Sequence, residues 1–165
     1  SADSNNTPSG KGCSLYFNGR GDKVQISKGL GLSNTSFTFG HWIKTTTSAR
    51  QVYTIGNAGD GNGYRFGISG GRIMFLIGNG VYIETTCGTE KVNDGKWHFI
   101  TGVFDRGNAF RCYIDGKKAG SVSISTYPNM QDSAPGIGAP PCCRDFTGFL
   151  DDVHIYSEAL SSAQI

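Results

Sequence analysis

The stretch of sequence that decides the fold is residues 93–117, which read NDGKWHFITGVFDRGNAFRCYIDGK. It contains two runs rich in β-branched and aromatic residues, Trp97–Asp105 and Phe110–Ile114, separated by the turn-forming residues 106–108. Asp115-Gly116 follows the second run and supplies residues that tolerate positive φ, as a tight hairpin requires. The stretch therefore predicts consecutive antiparallel strands joined by short turns.

Apolar and polar residues alternate in the second run, where Phe110, Cys112 and Ile114 oppose Arg111 and Tyr113. A period of two predicts a strand with one face in the core and the other in water. The first run is apolar on both faces, which is typical of a covered central strand. The same alternation occurs in three earlier runs. Tyr64, Phe66 and Ile68 oppose Arg65, and Val81 and Ile83 oppose Tyr82 and Glu84. In the run between them, Ile73, Phe75 and Ile77 oppose Arg72, Met74 and Leu76.

Twelve short runs of this kind follow one another, with turn signals between them. They are Ser14–Asn18, Lys23–Ile26, Ser36–Lys44, Gln51–Gly56, Tyr64–Ser69, Arg72–Ile77, Val81–Thr86, Trp97–Asp105, Phe110–Ile114, Lys117–Ile124, Gly136–Ile137 and Phe149–Tyr156. Residues 1–12 are predicted to form a flexible arm, and only Ser157–Ile165 has a helical pattern. We therefore expect one all-β domain over residues 13–165.

Composition narrows the range of functions. Fifteen basic and thirteen acidic residues leave a net charge of +2 with no basic cluster, which argues against nucleic-acid binding. No apolar stretch approaches the roughly 20 residues of a membrane span. The polar opening at Ser1 suits a mature N-terminus or an excised module.

Five cysteines stand at positions 13, 87, 112, 142 and 143. None of them is spaced for a zinc site, so disulfides in a secreted protein are the preferred interpretation, with buried reduced thiols as the alternative. The pairing stays open.

Three blocks in order resemble the laminin-G-like jelly-roll domains of the concanavalin-A-like superfamily. They are Leu15–Val24 with Ser36–Lys44, Asn93–Phe99 with Tyr113–Lys117, and Gly136–Ala139 with Phe146–Tyr156. The resemblance implies a two-sheet antiparallel β-sandwich (jelly roll) over residues 13–165. It implies less about function, because this fold carries lectins, enzymes and adhesion modules alike. Asn18 stands where the family usually has an aspartate.

Catalysis is not expected. Relatives that hydrolyse glycans carry alternate carboxylates on one strand, whereas the glutamates of this chain are Glu84, Glu90 and Glu158, outside any such pattern. Asp151 and Asp152 are adjacent and would point to opposite faces of a strand. A polysaccharide hydrolase or lyase remains the third hypothesis for function.

Calcium is the expected cofactor, in a structural role. The turn from Asn18 to Asp22 offers side-chain and carbonyl oxygens, which are the ligands that calcium prefers. The resemblance implies that the strand carrying Asp151 and Asp152 lies close to the first strand, so that Asp151 completes the site. An Asx turn beside an unrelated surface acid is the alternative.

A glycan site is predicted on the faces opposite the core, because aromatic rings stack on sugars while charged and amide groups bond hydroxyls. The candidate ligand-binding residues are Asp60, Asn62, Arg65, Arg72, Tyr82, Glu84, Arg111 and Tyr113. Ordinary cross-strand pairs would leave the same pattern. Trp42 and Trp97 are assigned to the core, and His41, His98 and His154 to structural roles.

The leading hypothesis is a secreted, calcium-stabilised, noncatalytic carbohydrate-binding module. A protein-binding adhesion or recognition module on the same scaffold is the second.

Overall fold

The computed structural model describes residues 1–4, 6–49, 51–52, 63–78, 82–125, 136–138 and 145–165, with the backbone alone for Val52 and residues 82–85. These residues form thirteen strands. They are β1 (Ala2–Asp3), β2 (Ser14–Asn18), β3 (Val24–Gln25), β4 (Phe37–Lys44), β5 (Gln51–Val52), β6 (Gly63–Ser69), β7 (Arg72–Gly78), β8 (Tyr82–Thr86), β9 (Trp97–Asp105), β10 (Ala109–Ile114), β11 (Lys117–Ser123), β12 (Gly136–Ile137) and β13 (Thr147–Tyr156). Within the described residues there is no helix, and so none long and apolar enough to cross a membrane.

Two antiparallel sheets make up most of the molecule. The large sheet has seven strands in the order β1-β2-β13-β4-β9-β10-β11, and the small sheet has four in the order β5-β6-β7-β8. A third ladder pairs β12 with β3. The fold is the all-β, jelly-roll sandwich that the sequence predicts, with β4 and β9 at the centre of the large sheet.

The core lies between the two sheets and is rich in aromatic rings. Phe39 of the large sheet stacks on Phe66 of the small sheet at 4.6 Å, and Phe75 stacks on Phe110 at 3.7 Å between ring centroids. A Cβ at Gly102 of β9 would lie 2.7 Å from the Phe66 ring, so only glycine leaves room for that ring. The predicted inward residues of β6, β7 and β10 are all buried, which confirms the alternation on this side.

One disulfide joins the sheets. Cys87, just after β8, is bonded to Cys112 on β10, and both are fully buried. Cys13 is exposed and unbridged, and the other two cysteines lie outside the described residues.

Both ends of the chain differ from the expectation. Ala2 and Asp3 pair with β2 at the edge of the large sheet, and the Tyr16 N–H donates to the Ser1 carbonyl at 2.7 Å. Flexibility over residues 1–12 stays a prediction. The prediction of helical structure in Ser157–Ile165 is wrong, because the segment makes only a turn at residues 162–164. The Glu158 carbonyl and the Leu160 N–H bind Thr38 of the large sheet and are therefore not available to a helix.

The outward side of the small sheet also differs. Met74 and Leu76 were expected to face water, yet their exposed fractions are 0% and 3%. Arg65 on the same side is only 8% exposed. These positions of the small sheet are therefore buried on both faces.

Candidate functional site

The predicted ligand-binding residues do not share one surface. Arg65 and Arg72 lie on the outward side of the small sheet, whereas Arg111 and Tyr113 lie on the outward side of the large sheet, with the core between them. Tyr82 and Glu84 are described by their backbone alone, at the register positions opposite Gly78 and Leu76. Asp60 and Asn62 lie outside the described residues. The structure therefore does not bring Arg65 and Arg72 into one site with Arg111 and Tyr113.

Arg111 and Tyr113 hold a segment of the same chain, which we name the C-terminal cover (residues 157–162). Arg111 forms an ion pair with Asp105 at 2.9 Å and donates to the Leu160 carbonyl at 3.5 Å. The Tyr113 hydroxyl lies 2.8 Å from the Ser162 hydroxyl oxygen, and Tyr113 is 2% exposed. Both side chains are thus committed to the chain itself.

Thr38 makes two hydrogen bonds to the cover. Its hydroxyl donates to the Glu158 carbonyl at 2.8 Å and accepts the Leu160 N–H at 2.9 Å. No sequence signal connected Thr38 with a segment 120 residues away.

Of the three predicted metal ligands, Asn18 and Asp22 share one turn, whereas Asp151 lies apart from them. Thr147 of β13 pairs with Asn18, and Leu150 pairs with Leu15. Asp151 therefore lies four residues along β13 from the Asn18 position, which is roughly 13 Å at the usual rise of a strand. The two strands are neighbours, as the resemblance implies, but their antiparallel register places Asp151 away from the turn.

Asp145 takes the place at the turn that was expected for Asp151. Its carboxylate accepts the Gly21 N–H at 2.7 Å, and Asp22 accepts the Asn18 N–H at 3.0 Å. Asp22 and Asp145 each keep a second oxygen that accepts no hydrogen bond from the described residues. This donor chemistry fits calcium, although no group of three or more His, Cys, Asp or Glu among the described residues is arranged to hold a metal.

Half-buried aromatic rings occupy the outward side of the large sheet at the end away from the cover. We name this surface the aromatic face, and it consists of Tyr16, Trp42, Trp97, Phe99, Phe149 and His154. Neighbouring rings contact each other: Tyr16–Phe149 at 4.9 Å, Trp97–Phe149 at 6.2 Å, Trp42–Phe99 at 5.2 Å and Phe99–His154 at 5.8 Å.

The assignment of Trp42 and Trp97 to the core is therefore wrong. On β4, Phe39, His41 and Ile43 point inward, so the alternation directs Trp42 and Lys44 outward. Both tryptophans are partly exposed. An apolar residue on a central strand can serve either face, and the sequence does not show which face is covered.

Two grooves border the aromatic face. The first, which we name the Lys44 groove, has a volume of about 230 Å³ and is lined by Tyr16, Lys44, Thr46, Gly95, Thr147 and Phe149, among others. The second, the Trp42 groove, has a volume of about 270 Å³ and is lined by Pro8, Ser9, Trp42, Asp151 and Asp152. Asn6 accepts a hydrogen bond from the Lys44 ammonium at 3.0 Å.

His98 fixes the loop beside the Lys44 groove. Its Nδ1 lies 2.9 Å from Asp115 and its Nε2 lies 3.1 Å from Asp94, so both ring nitrogens face carboxylates. Burial lowers the pKa of His98, but the hydrogen bonds to Asp115 and Asp94 outweigh burial and raise the pKa above its usual value. The ring thereby joins residue 94 to the β10–β11 turn.

His41 lies beneath the aromatic face, on the inward side of β4. Burial, reinforced by His154, lowers the pKa of His41 to about 3, so the buried ring is neutral. It packs on Phe39 at 4.8 Å between ring centroids.

The sequence matches one family description, the Concanavalin A-like lectin/glucanases superfamily, over residues 14–165. The chain belongs to this superfamily. The laminin-G-like resemblance drawn from the three sequence blocks is thereby confirmed. A search of curated protein sequences finds no match to this chain.

Several solved structures have the same fold as this chain. The binding domain of Paraclostridial Mosquitocidal Protein 1 superposes with a TM-score of 0.76 and 17% identity, over 92% of this chain and 42% of that one. Domain 4 of AbnA, a GH43 extracellular arabinanase from Geobacillus stearothermophilus, in complex with arabinotriose, gives 0.73 and 22%, over 93% and 74%. Domains LG4-5 of the mouse laminin alpha1 chain give 0.68 and 15%, over 90% and 43%. At these identities the likeness shows the fold alone.

Proposed function

We propose that this chain is a noncatalytic carbohydrate-binding module, and that glycans bind on the aromatic face. The observation that carries the proposal is the pair of half-buried ring clusters on one sheet surface, Tyr16–Phe149–Trp97 beside the Lys44 groove and Trp42–Phe99–His154 beside the Trp42 groove. Contiguous exposed apolar surface of this kind marks interaction sites.

The surface has both parts of sugar recognition. Trp42 and Phe149 offer ring faces against which the C–H side of a sugar stacks. Lys44 and Asp151 stand at the edges of those rings and provide directional hydrogen bonds to hydroxyls. Each groove is slightly smaller than the roughly 300 Å³ at which drug-sized sites begin, which suits a single sugar residue in each.

The absence of catalysis is part of the proposal. Among the described residues that line the two grooves there is no glutamate, and the carboxylates there are Asp151 and Asp152. One oxygen of Asp151 accepts the Asp152 N–H at 2.8 Å. Hydrolysis of a glycoside needs two carboxyl groups on opposite sides of the scissile bond, and this adjacent pair lies on one wall of one groove.

We also propose an extracellular location and structural calcium. The buried Cys87–Cys112 bond supports the first, because disulfides persist in oxidising compartments. The oxygens of Asn18, Asp22 and Asp145 support the second. AbnA domain 4 in complex with arabinotriose is a fold relative for which a glycan is named, and it is consistent with the proposal.

The test is a glycan array followed by calorimetry on the glycans that bind. Trp42→Ala should lower affinity at least about tenfold, which corresponds to about 1.4 kcal/mol, because it removes a stacking surface. Val24→Ala is the control, since this exposed apolar side chain lies on β3, outside the large sheet and both grooves.

Two results would overturn the proposal: no binding to any glycan, or glycan binding that Trp42→Ala leaves unchanged. Capture of an extracellular protein through Trp42, without competition by sugars, would instead establish the protein-binding alternative.

A further inference from the structure

Lys44 is the charged residue at the centre of the Lys44 groove. It lies at the end of β4, on the outward side, where its ladder partners are Phe149 on one side and Trp97 on the other. The rings of these two partners are 6.2 Å apart between centroids. The ammonium group therefore projects from the middle of the surface on which a sugar would stack.

The charge of Lys44 is not balanced within the groove. No carboxylate of the described residues lies within ion-pair distance of its ammonium, and the hydrogen bond to Asn6 goes to a neutral amide. The other described residues that line the groove are uncharged. An ammonium group has three N–H donors, so Asn6 leaves two of them for a ligand.

The Trp42 groove has the opposite charge. Its charged lining residues are Asp151 and Asp152, and Asp151 pairs with Trp42 across the ladder. An anionic group placed there would meet two carboxylates, whereas the same group in the Lys44 groove would meet one cation. The two grooves thus differ in charge, and an anionic group of a ligand is favoured in the Lys44 groove.

We propose that the glycan bound on the aromatic face is acidic, and that Lys44 selects it by binding a carboxylate or sulfate group on the sugar. This inference rests on the proposed function. An anionic oxygen attracts the ammonium through its full charge, whereas a neutral hydroxyl offers only a dipole, so Lys44 would separate acidic sugars from their neutral counterparts. Asn6 is then a positioning residue, which holds the ammonium over the groove.

The experiment compares acidic glycans with neutral counterparts of the same backbone on wild type, Lys44→Gln and Lys44→Arg. We expect wild type to bind the acidic members more tightly, and Lys44→Gln to lower their affinity about tenfold while changing the neutral ones less than twofold. Lys44→Arg should retain the preference, because it keeps the charge. Lys118→Gln, an exposed lysine on β11, is the control for net charge.

Carboxyl-reduced and desulfated versions of each bound glycan distinguish the two sources of charge. Loss of binding on carboxyl reduction assigns a uronic or sialic acid, and loss on desulfation assigns a sulfated sugar. The preference should also weaken as salt concentration rises, since Lys44 is partly exposed.

Different results would overturn the role of Lys44 and the proposed function. Trp42-dependent binding of neutral and acidic members with equal affinity would overturn the role of Lys44 and keep the proposed function. An acidic preference that survives in Lys44→Gln would also overturn it. The absence of any glycan binding would overturn both.

Discussion

The two ends of one sheet surface differ in what occupies them. At one end of the outward side of the large sheet, Thr38, Arg111 and Tyr113 bind the C-terminal cover. At the other end, the rings of the aromatic face stay partly exposed between two grooves. Strands β4 and β9 run through both ends, so strand identity alone does not set the difference.

The contrast shows that the type of residue does not decide its role on this surface. Arginine and tyrosine, which are common in binding sites, are satisfied within the chain at the covered end. Tryptophan and phenylalanine, which usually fill a core, stand at the open end because inward positions of the same strands already contact the small sheet. Which segment crosses the surface decides which side chains a ligand can reach.

The largest expected change is the loss of stability when calcium is removed from the proposed site, which adjoins the open end. With free calcium at about one hundred times its Kd, binding would add about 2.7 kcal/mol to the free energy of unfolding. Chelation should therefore lower the Tm, and Asp22→Asn should remove that sensitivity. Asp151→Asn is the control and should retain it, since Asp151 is separated from the turn by three intervening residues of β13 beyond Thr147. A melting curve that chelator leaves unchanged would rule out the site.

Thr38→Val tests the covered end. The substitution keeps the shape of the side chain but leaves the Glu158 carbonyl and the Leu160 N–H without a partner, so the free energy of unfolding should fall by about 2 kcal/mol. Denaturant unfolding measures the loss, and Thr38→Ser should be close to wild type.

Glycan affinity should not change in Thr38→Val, because the cover lies away from both grooves. A loss of affinity comparable to that of Trp42→Ala would contradict the separation of the two ends.

His98→Gln should have the smallest effect, and the effect should depend on pH. The pKa of His98 is raised in the folded state, so its contribution is complete below the unfolded value of 6.5 and is lost as pH rises through the folded pKa. The pKa of Asp94 is lowered, mainly by the Lys96 N–H, so its contribution is complete above the ordinary value of 3.8 and is lost as pH falls through the folded pKa.

The unfolding free energies of wild type and His98→Gln should therefore differ most between these two values, by at most about 1 kcal/mol because solvent screens the groups. Denaturant unfolding at pH 5 and pH 9 measures this difference. A difference that grows toward pH 9 would show that the ring does not act as a cation.

Much of the fold could be predicted because it depends on local pattern. Phe110, Cys112 and Ile114 alternate with Arg111 and Tyr113, and the structure buries the first three against the small sheet. The candidate site was harder to predict, because it depends on contacts between distant residues. The pairing of Asn18 with Thr147 placed Asp145 at the turn and moved Asp151 away from it.

By itself, the sequence determined most of the strands, their turns, the inward residues of β6, β7 and β10, and the superfamily, because a period of two and glycine turns need only neighbouring residues. The tertiary structure alone decided which outward surface stays open. Alternation predicts that the two sides of a strand differ. The segment that covers one side comes from a distant part of the chain, so local pattern does not predict it. Tyr113 is covered by the segment that contains Ser162. Trp42 stays partly exposed among the described residues.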